Sequence, residues 1–400
     1  MDSQFRRLFN AQFTNELYAW YKSELSRRLG CDFEFRLAET PLFLSDDFKQ
    51  RAVESANAIV EQLSNPSLIE KMKAAIPARW NTPGMDGLPN LAQVDFAVVR
   101  AADGTLVPKL IELQGFPSLT SLQVIQRDVW KDTLAKTDGL DLAWSCWYSG
   151  YDRKSFLDLA RRTIVGIHDP AEVILMDIDP PRQKTFPDFA ATKMLFGVDA
   201  VDPTSLVKRG RALFRADGTP VRRIYNRVVF DELIAKGIEL PFDYREELDV
   251  EWAPHPNWYW VWSKYSLPFL EHESVPRATF LSDLQRVPED LSRYVLKPLF
   301  SFAGGGVNVD PTRADVEAIP AGERHAWCLQ EKIDYEPALE AADGGGVKME
   351  IRMMFLRPDD EPKPILAQNL VRLSRGKMLG VDFNKQFTWV GSSVGLSLTS

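Results

Sequence analysis

Residues 295–309 read VLKPLFSFAGGGVNV and hold a lysine and a glycine triplet in one short segment. Lys297 ends an apolar, β-like run, and Gly304, Gly305 and Gly306 lead into a second one at 307–309. Glycines let successive backbone N–H groups converge on phosphate oxygens, and a lysine ammonium offsets phosphate charge. The pattern predicts a polyphosphate clamp. Its alternative is an ordinary glycine-rich hairpin turn beside a surface lysine.

A second charged segment, CLQEKI at 328–333, reads as a buried strand that ends in charged side chains. A strand edge with free backbone N–H and C=O groups can bind an adenine ring. We therefore take Gln330, Glu331, Lys332 and Ile333 as a candidate nucleotide-binding edge. Glu331 would accept a ribose hydroxyl and Lys332 would reach the phosphates. The alternative is a strand end with a solvated Glu–Lys pair.

Two sets of oxygen-bearing side chains are candidate ligands for Mg²⁺, which prefers hard oxygen donors. The first set lies on a predicted hairpin formed by residues 94–99 and 109–113: Asp95, Glu112 and Gln114. Glu112 and Gln114 are two residues apart and so share a strand face. The second set is Glu350, Asp382 and Asn384. For either set, the alternative is a group of solvated strand side chains.

Composition narrows the classes of protein. The chain has 400 residues, a formal net charge of −8, 45% hydrophobic residues and 26% charged residues, which is typical of a globular domain. The acidic balance argues against a nucleic-acid partner. The N-terminus shows no signal sequence, no apolar run is long enough to span a bilayer, and three scattered cysteines fit a reducing compartment. We expect a cytoplasmic protein with no membrane partner.

The pattern along the chain predicts a mixed α/β (α+β) protein with four regions. Residues 1–90 read as helical, and 91–150 as the hairpin followed by a helix that begins near Ser118. Residues 151–240 alternate helix and strand, which indicates a small parallel α/β unit. Residues 241–400 hold the glycine-rich segment and, at 350–356 and 365–379, two long strands.

Three familiar motifs are excluded. Residues 391–395 (GSSVG) match GxSxG, but a nucleophile elbow needs an acid and then a histidine downstream, and neither follows. No GxGxxG opens a βαβ unit, and no GxxxxGK[ST] is present. Serine hydrolases, Rossmann dehydrogenases and P-loop enzymes therefore lose support.

Taken in order, the segments resemble the synthetase domain of glutathionylspermidine synthases, a permuted branch of the ATP-grasp superfamily. The likeness rests on 111–119 (IELQGFPSL), on 255–270 (HPNWYWVWSKYSLPFL) and on 297–308. The permuted order, with metal ligands before the lysine strand, favours Asp95, Glu112 and Gln114 over the second set. The resemblance also implies that Lys297 and Lys332 bind ATP phosphates and that Glu331 lies at the nucleotide hinge. It implies an ATP-grasp fold with a preceding α/β substrate domain.

The resemblance implies an ATP-dependent carboxylate–amine ligase that uses Mg²⁺ and forms an amide through an acyl phosphate. Its substrates would be small carboxylates and amines of the amino acid, peptide or polyamine class. Arg352, two residues from Glu350, would act near the reacting phosphate, or form an exposed ion pair instead. Arg227, with Arg223 on the same strand face, would bind a substrate carboxylate, or lie on a solvated edge. A kinase of the same superfamily and a non-catalytic nucleotide-binding protein remain as alternatives. The oligomeric state is not indicated.

Overall fold

The computed structural model describes residues 1–300, 305–376 and 386–399. Within these ranges the α-helices are α1 (Ser3–Gln12), α2 (Asn15–Leu29), α3 (Asp46–Leu63), α4 (Pro66–Met72), α5 (Leu122–Leu134), α6 (Arg153–Ile164), α7 (Phe186–Phe196), α8 (Phe230–Ala235), α9 (Trp258–Val261) and α10 (Arg313–Glu317). The strands are β1 (Leu42–Phe43), β2 (Leu91–Arg100), β3 (Leu106–Gln114), β4 (Trp144–Ser145), β5 (Val173–Met176), β6 (Asp199–Val201), β7 (Val207–Arg209), β8 (Ala212–Phe214), β9 (Pro220–Val221), β10 (Arg223–Asn226), β11 (Glu251–Ala253), β12 (Ala278–Phe280), β13 (Tyr294–Pro298), β14 (Trp327–Glu331), β15 (Leu339–Glu340), β16 (Gly346–Leu356), β17 (Ile365–Ser374), β18 (Gly391–Ser393) and β19 (Gly395–Leu398).

The largest sheet is antiparallel, with strand order β18-β17-β16-β2-β3, and β15 pairs with β16. The hairpin predicted from residues 94–113 is confirmed as β2 and β3, joined by a turn in which Gly104 has φ of 87°. The two long strands predicted in the last third are confirmed as β16 and β17. Strands from residues 91–114 and 346–393 therefore share this central sheet.

The predicted N-terminal helices are confirmed as α1 to α4, and their apolar faces join one continuous core with the central sheet. Local residues set both ends of helix α2. The Thr14 side chain caps its N-terminus by accepting the Leu17 N–H, and Gly30 ends the helix with a φ of 67°. β1 then pairs in parallel with β19, and β19 pairs with β4. The first and last parts of the described chain thus share a three-stranded sheet, with strand order β1-β19-β4.

The predicted parallel α/β unit is confirmed as the sheet β11-β10-β5-β6, whose strands are all parallel. Helices α6 and α7 alternate with its strands along the chain. Strand β10 ends at Asn226, and α8 begins at Phe230. The antiparallel strands β7, β8 and β9 form a small additional sheet.

Helix α5 starts later than the sequence suggested. We expected a start near Ser118, but the helix begins at Leu122. The buried carboxylate of Asp188, on α7, accepts the N–H groups of Ser121 and Leu122 at 2.9 Å each. The cap is therefore supplied by a residue distant in sequence, which a local pattern does not reveal.

A third sheet carries the glycine-rich segment, with strand order β12-β14-β13. The lysine strand is confirmed as β13 and the following charged strand as β14. Two expectations were wrong. Residues 307–309 form no strand, because only Asn308 makes a β-bridge, to Leu296. β14 is also not an edge, because it pairs with β12 on one side and β13 on the other.

Candidate functional site

A row of charged side chains lies on one face of the central sheet. Asp95 of β2 lies opposite Glu112 of β3 on one side and Arg352 of β16 on the other. Glu350 of β16 lies opposite Arg372 of β17. Side chains two residues apart, and those directly opposite each other, share a face of a pleated sheet. We call these five side chains the charged face.

The Asp95 carboxylate is bound by two arginines. Arg352 donates from Nε and Nη2 to the two carboxylate oxygens at 2.7 and 2.6 Å, and Arg372 donates from Nη2 at 2.6 Å. Asp95 is only 1% exposed. Burial alone would raise its pKa, but the two guanidinium charges outweigh that effect, so the pKa of Asp95 lies below its usual value. Asp95 is therefore a buried, ionised group at neutral pH.

The neighbouring Glu350 has the opposite electrostatic balance. Its carboxylate lies 3.0 Å from Arg372 Nη2 and accepts the Tyr335 hydroxyl at 2.8 Å. Burial raises the pKa of Glu350, and the Arg372 charge only partly offsets this. Burial, together with the Glu350 charge, also raises the pKa of Tyr335 well above its usual value. The charged face thus holds one strongly ionised carboxylate beside a second one that ionises less readily.

Lys297 joins the third sheet to the charged face. From β13 its ammonium donates to the Ile111 carbonyl on β3 at 3.2 Å and to Gln330 Oε1 at 2.5 Å. Burial lowers the pKa of Lys297. A second buried lysine, Lys264, lies 3.7 Å from Glu112 Oε1. The structure therefore brings Lys297, Gln330, Glu112 and Asp95 into one region, as the sequence order suggested, and adds Lys264.

The candidate nucleotide edge differs from the expected one. The backbone N–H groups of Glu331 and Lys332 already donate to the carbonyls of Arg277 and Arg293, at 2.8 Å each. The Glu331 side chain accepts from Arg277 N at 3.2 Å. Lys332 extends to Asp310, 2.7 Å away, on the exposed surface. β14 ends at Glu331, and Ile333 lies two residues beyond it, so its place at a nucleotide edge stays a prediction.

Part of the glycine triplet can be described. Gly304 lies outside the described residues, whereas Gly305 and Gly306 are both exposed. Gly306 has φ of 71°, a left-handed conformation that favours glycine, and a Cβ there would lie 3.1 Å from Pro298. This glycine therefore turns the chain tightly back over the end of the lysine strand.

The proposed magnesium ligands differ in how available they are. Gln114 is 6% exposed, and its buried Oε1 has no hydrogen-bond partner among the residues that the structure describes. Glu112 is 3.7 Å from Lys264, which is beyond hydrogen-bond distance. Both side chains carry oxygen donors of the kind that Mg²⁺ prefers, and their role as ligands stays a prediction. Asp95 would have to exchange an arginine for the ion, so its role as a ligand stays a prediction.

No group of three or more His, Cys, Asp or Glu side chains within the described ranges is arranged to hold a metal ion. Gln114 is an amide and falls outside that count. In the alternative set, Glu350 bonds Arg372 and Tyr335, and Asp382 and Asn384 lie outside the described residues.

The arginines proposed for catalysis or substrate binding are buried and paired. Arg352 holds Asp95, as described above, rather than forming an exposed ion pair. Arg227, just beyond β10, donates to the Pro117 carbonyl at 2.7 Å and lies 3.7 Å from Asp188. Arg223 bonds both Glu251 and Asp359 at 2.7 Å. Neither Arg223 nor Arg227 lies on a solvated edge, and both bind groups of the protein.

Sequence reasoning did not assign roles to Lys264, Arg372 or Tyr335. Lys264 lies in the segment 255–270 that carries the family resemblance, so that segment contained its signal. Arg372 could have been found from the strand register, since it lies opposite Glu350 on β17. Tyr335 follows β14 in an irregular segment, and no sequence pattern points to it.

The fold resembles that of a solved protein. It is similar to the apo structure of a glutathione synthetase-like effector from Globodera pallida, with a TM-score of 0.58 and 14% sequence identity. The match covers 100% of this chain and 98% of that chain. At this identity the likeness shows a shared mixed α/β fold with several sheets.

Two other comparisons found nothing. No protein-family model matches the sequence, and no curated protein matches it.

None of the helices within the described ranges combines the length and apolar character that crossing a bilayer requires.

Proposed function

We propose that this protein is an ATP-dependent carboxylate–amine ligase of the ATP-grasp type. The observation that carries the proposal is the contact of Lys297 with β3. A lysine on one sheet reaches the backbone beside Glu112 on another, 186 residues away in sequence. This contact supports a site in which the lysine offsets phosphate charge and the neighbouring carboxylate binds a metal. The fold shared with a glutathione synthetase-like protein supports the same class.

In this proposal, Lys297 and Lys264 offset negative charge on the ATP phosphates. Mg²⁺ would be held by Glu112 and Gln114, with Asp95 as a further candidate, and would supply positive charge to the transferring phosphate. Gly305 and Gly306 would cover the phosphates, and Glu331, Lys332 and Ile333 would lie near the nucleoside. Asp95, held by Arg352 and Arg372, fixes the sheet on which these groups stand.

The reaction proposed for this site has two steps. A substrate carboxylate oxygen attacks the γ-phosphorus of ATP, which gives an acyl phosphate and ADP. An amine nitrogen then attacks the acyl carbon, and phosphate leaves as the amide forms. Phosphoryl transfer depends mostly on positioning and charge neutralisation, which buried lysines supply. The acid and the amine would be amino acids, peptides or polyamines, and the reaction would take place in the cytoplasm.

A non-catalytic nucleotide-binding protein is the second candidate, and the pairing of Asp95 favours it. Both oxygens of that carboxylate are already bonded to guanidinium groups. If Asp95 never leaves them, the metal site keeps only Glu112 and Gln114. Binding of ATP would then persist with slow turnover or none.

The test is to incubate the protein with Mg·ATP and pools of amino acids, peptides and polyamines. The ligase predicts ADP, free phosphate and a new amide by mass spectrometry. ADP with a phosphorylated product and no free phosphate would identify a kinase instead. ATP binding without turnover would favour the non-catalytic candidate.

Variants test the site itself. Lys297→Met and Glu112→Gln should each lower turnover by about 100-fold or more, as expected when a group that stabilises transition-state charge is removed. Lys363→Met is the matched control, because Lys363 is 64% exposed and pairs with Glu61 on the surface. Full turnover in both site variants would overturn the assignment.

A further inference from the structure

A cavity of about 210 Å³ lies against the third sheet, away from the charged face. Its walls come from the connection between β12 and β13, from α10 and from the turn that precedes β14. We call this space the arginine pocket. The lining side chains that matter here are Leu281, Leu284, Arg286, Val287, Val316 and Arg324.

The arginine pocket and the charged face lie on opposite sides of the third sheet. Leu296 of β13 packs in the same apolar cluster as Leu281 and Val316 of the pocket. Lys297 is the next residue on β13, and neighbouring residues of a strand point to opposite faces. Lys297 makes its contact with β3 from that second face. The pocket is therefore separate from the site proposed for ATP.

The base of the arginine pocket is apolar. Leu281 and Val316 are 2% and 1% exposed, and Leu284 and Val287 are partly buried against the same cluster. An apolar cavity of about 150 Å³ is large enough to hold a benzene molecule. The pocket therefore has room for a ligand of roughly six to eight heavy atoms.

Two guanidinium groups line this pocket without a carboxylate partner. Within the described ranges, Arg286 makes no hydrogen bond or ion pair. Arg324 donates from Nε to the Ile319 carbonyl at 3.3 Å, which orients its guanidinium and leaves the Nη groups unpaired in that part of the chain. Glu317, the carboxylate among the described lining residues, lies 3.5 Å from Arg313 on the surface. The unpaired charges of the pocket are therefore positive.

These features together define the chemistry of a ligand. A guanidinium presents parallel N–H donors that match the two oxygens of a carboxylate. The two arginines and Glu317 sum to one positive charge among the lining side chains, which a single carboxylate balances. The apolar base favours a hydrocarbon body next to that acid group, because its burial removes apolar surface from water.

We propose that the arginine pocket binds a short aliphatic monocarboxylate, held at its acid group by Arg286 and Arg324. Its hydrocarbon chain lies against Leu281 and Val316. The site stands apart from the proposed ligase reaction and does not depend on it. By the volume of the pocket, a chain of about six carbons fits.

The first experiment measures binding to the full chain without ATP or metal. Hexanoate is titrated and followed by ligand-observed NMR, with hexanamide as a neutral probe of the same length and acetate as an acid without the chain. We expect hexanoate to bind about tenfold more tightly than either of them, since each lacks one of the two interactions. Equal binding of hexanoate and either probe, or no binding of hexanoate, would overturn the proposal.

The second experiment removes the positive charges one at a time. Arg286→Gln and Arg324→Gln should each weaken hexanoate binding by about tenfold, as expected for lost hydrogen bonds to a charged group. Arg286 is exposed, so its replacement leaves the core intact. Arg245→Gln is the matched control, because Arg245 is 60% exposed and does not line the pocket. Equal weakening by all three variants would contradict the assignment.

The third experiment separates this pocket from the site proposed for ATP. Lys297→Met should leave hexanoate binding unchanged, and the variants of Arg286 and Arg324 should leave ATP binding unchanged, because the two sites lie on opposite faces of the sheet. Loss of hexanoate binding in Lys297→Met would place the acid on the charged face and overturn the proposal. If ATP fails to bind while hexanoate still binds through the two arginines, the ligase proposal fails and the arginine pocket stands.

Discussion

The substitution Asp95→Asn tests whether this residue stabilises the fold or binds the metal. It keeps the shape of the side chain and removes the charge. Arg352 and Arg372 would then lie beside a neutral amide, while Arg372 keeps its ion pair with Glu350. Breaking a buried ion pair on one side costs about 3–5 kcal/mol. Because Asp95 is almost fully buried and accepts three charge-assisted hydrogen bonds, we expect a loss in that range.

The assay is urea unfolding of parent and variant in EDTA, so that no metal contributes. Asp343→Asn is the control, because Asp343 makes a two-bond pair with Arg375 but is 45% exposed, and its loss should cost about 1 kcal/mol or less. The double variant Asp95→Asn/Arg352→Met should recover part of the loss, since it removes one unpaired charge. If Asp95→Asn unfolds within about 1 kcal/mol of the parent while Mg²⁺ affinity collapses, the ion-pair reasoning is refuted.

Three further predictions follow from individual contacts. Gly115→Ala should lower stability in thermal or urea unfolding by about 1–3 kcal/mol, because the new Cβ meets the Trp258 carbonyl, whereas Gly87→Ala, with open space around its Cβ, should not. Burial raises the pKa of Asp177 to about 7, so its native carboxyl keeps a proton that the unfolded chain releases, and the free energy of unfolding falls as pH rises from about 4 to 7. Asp177→Asn should remove this fall, which amounts to up to about 4 kcal/mol between unfolding curves at pH 4 and pH 8. An unchanged dependence of stability on pH in the variant would contradict the pKa shift. Burial lowers the pKa of Lys297, so ATP affinity should fall as pH rises through that lowered value, while affinity in Lys297→Met should be weak and nearly independent of pH in the same titration.

Local sequence patterns were sufficient to predict those elements whose structure is determined by residues close together in the sequence. The alternation at 94–99 and 109–113 with a turn between them specifies a hairpin, and β2 and β3 follow it. The apolar periodicity of the first 80 residues likewise specifies helices. The order of the segments around Asp95, Glu112 and Lys297 correctly suggested that they meet, because the antiparallel register and the sheet contacts bring them together.

The parts of the fold and of the candidate site that the sequence did not predict depend on contacts between residues that are far apart in the sequence. No pattern near Asp95 shows that Arg352 and Arg372 will bond it, because the register between β2, β16 and β17 decides that. The strand at 327–331 was read as an edge because its second neighbour, β12, is too short to stand out.

The central sheet has a consequence for biosynthesis. β2 leaves the ribosome more than two hundred residues before β16, its partner in the sheet, and β1 pairs with β19, near the end of the described chain. Until β16 is made, the edge of β2 that it will cover has no strand partner, and the N-terminal helices can pack only on a two-stranded hairpin. A nascent chain that stops before β16 therefore cannot complete its central sheet or its core.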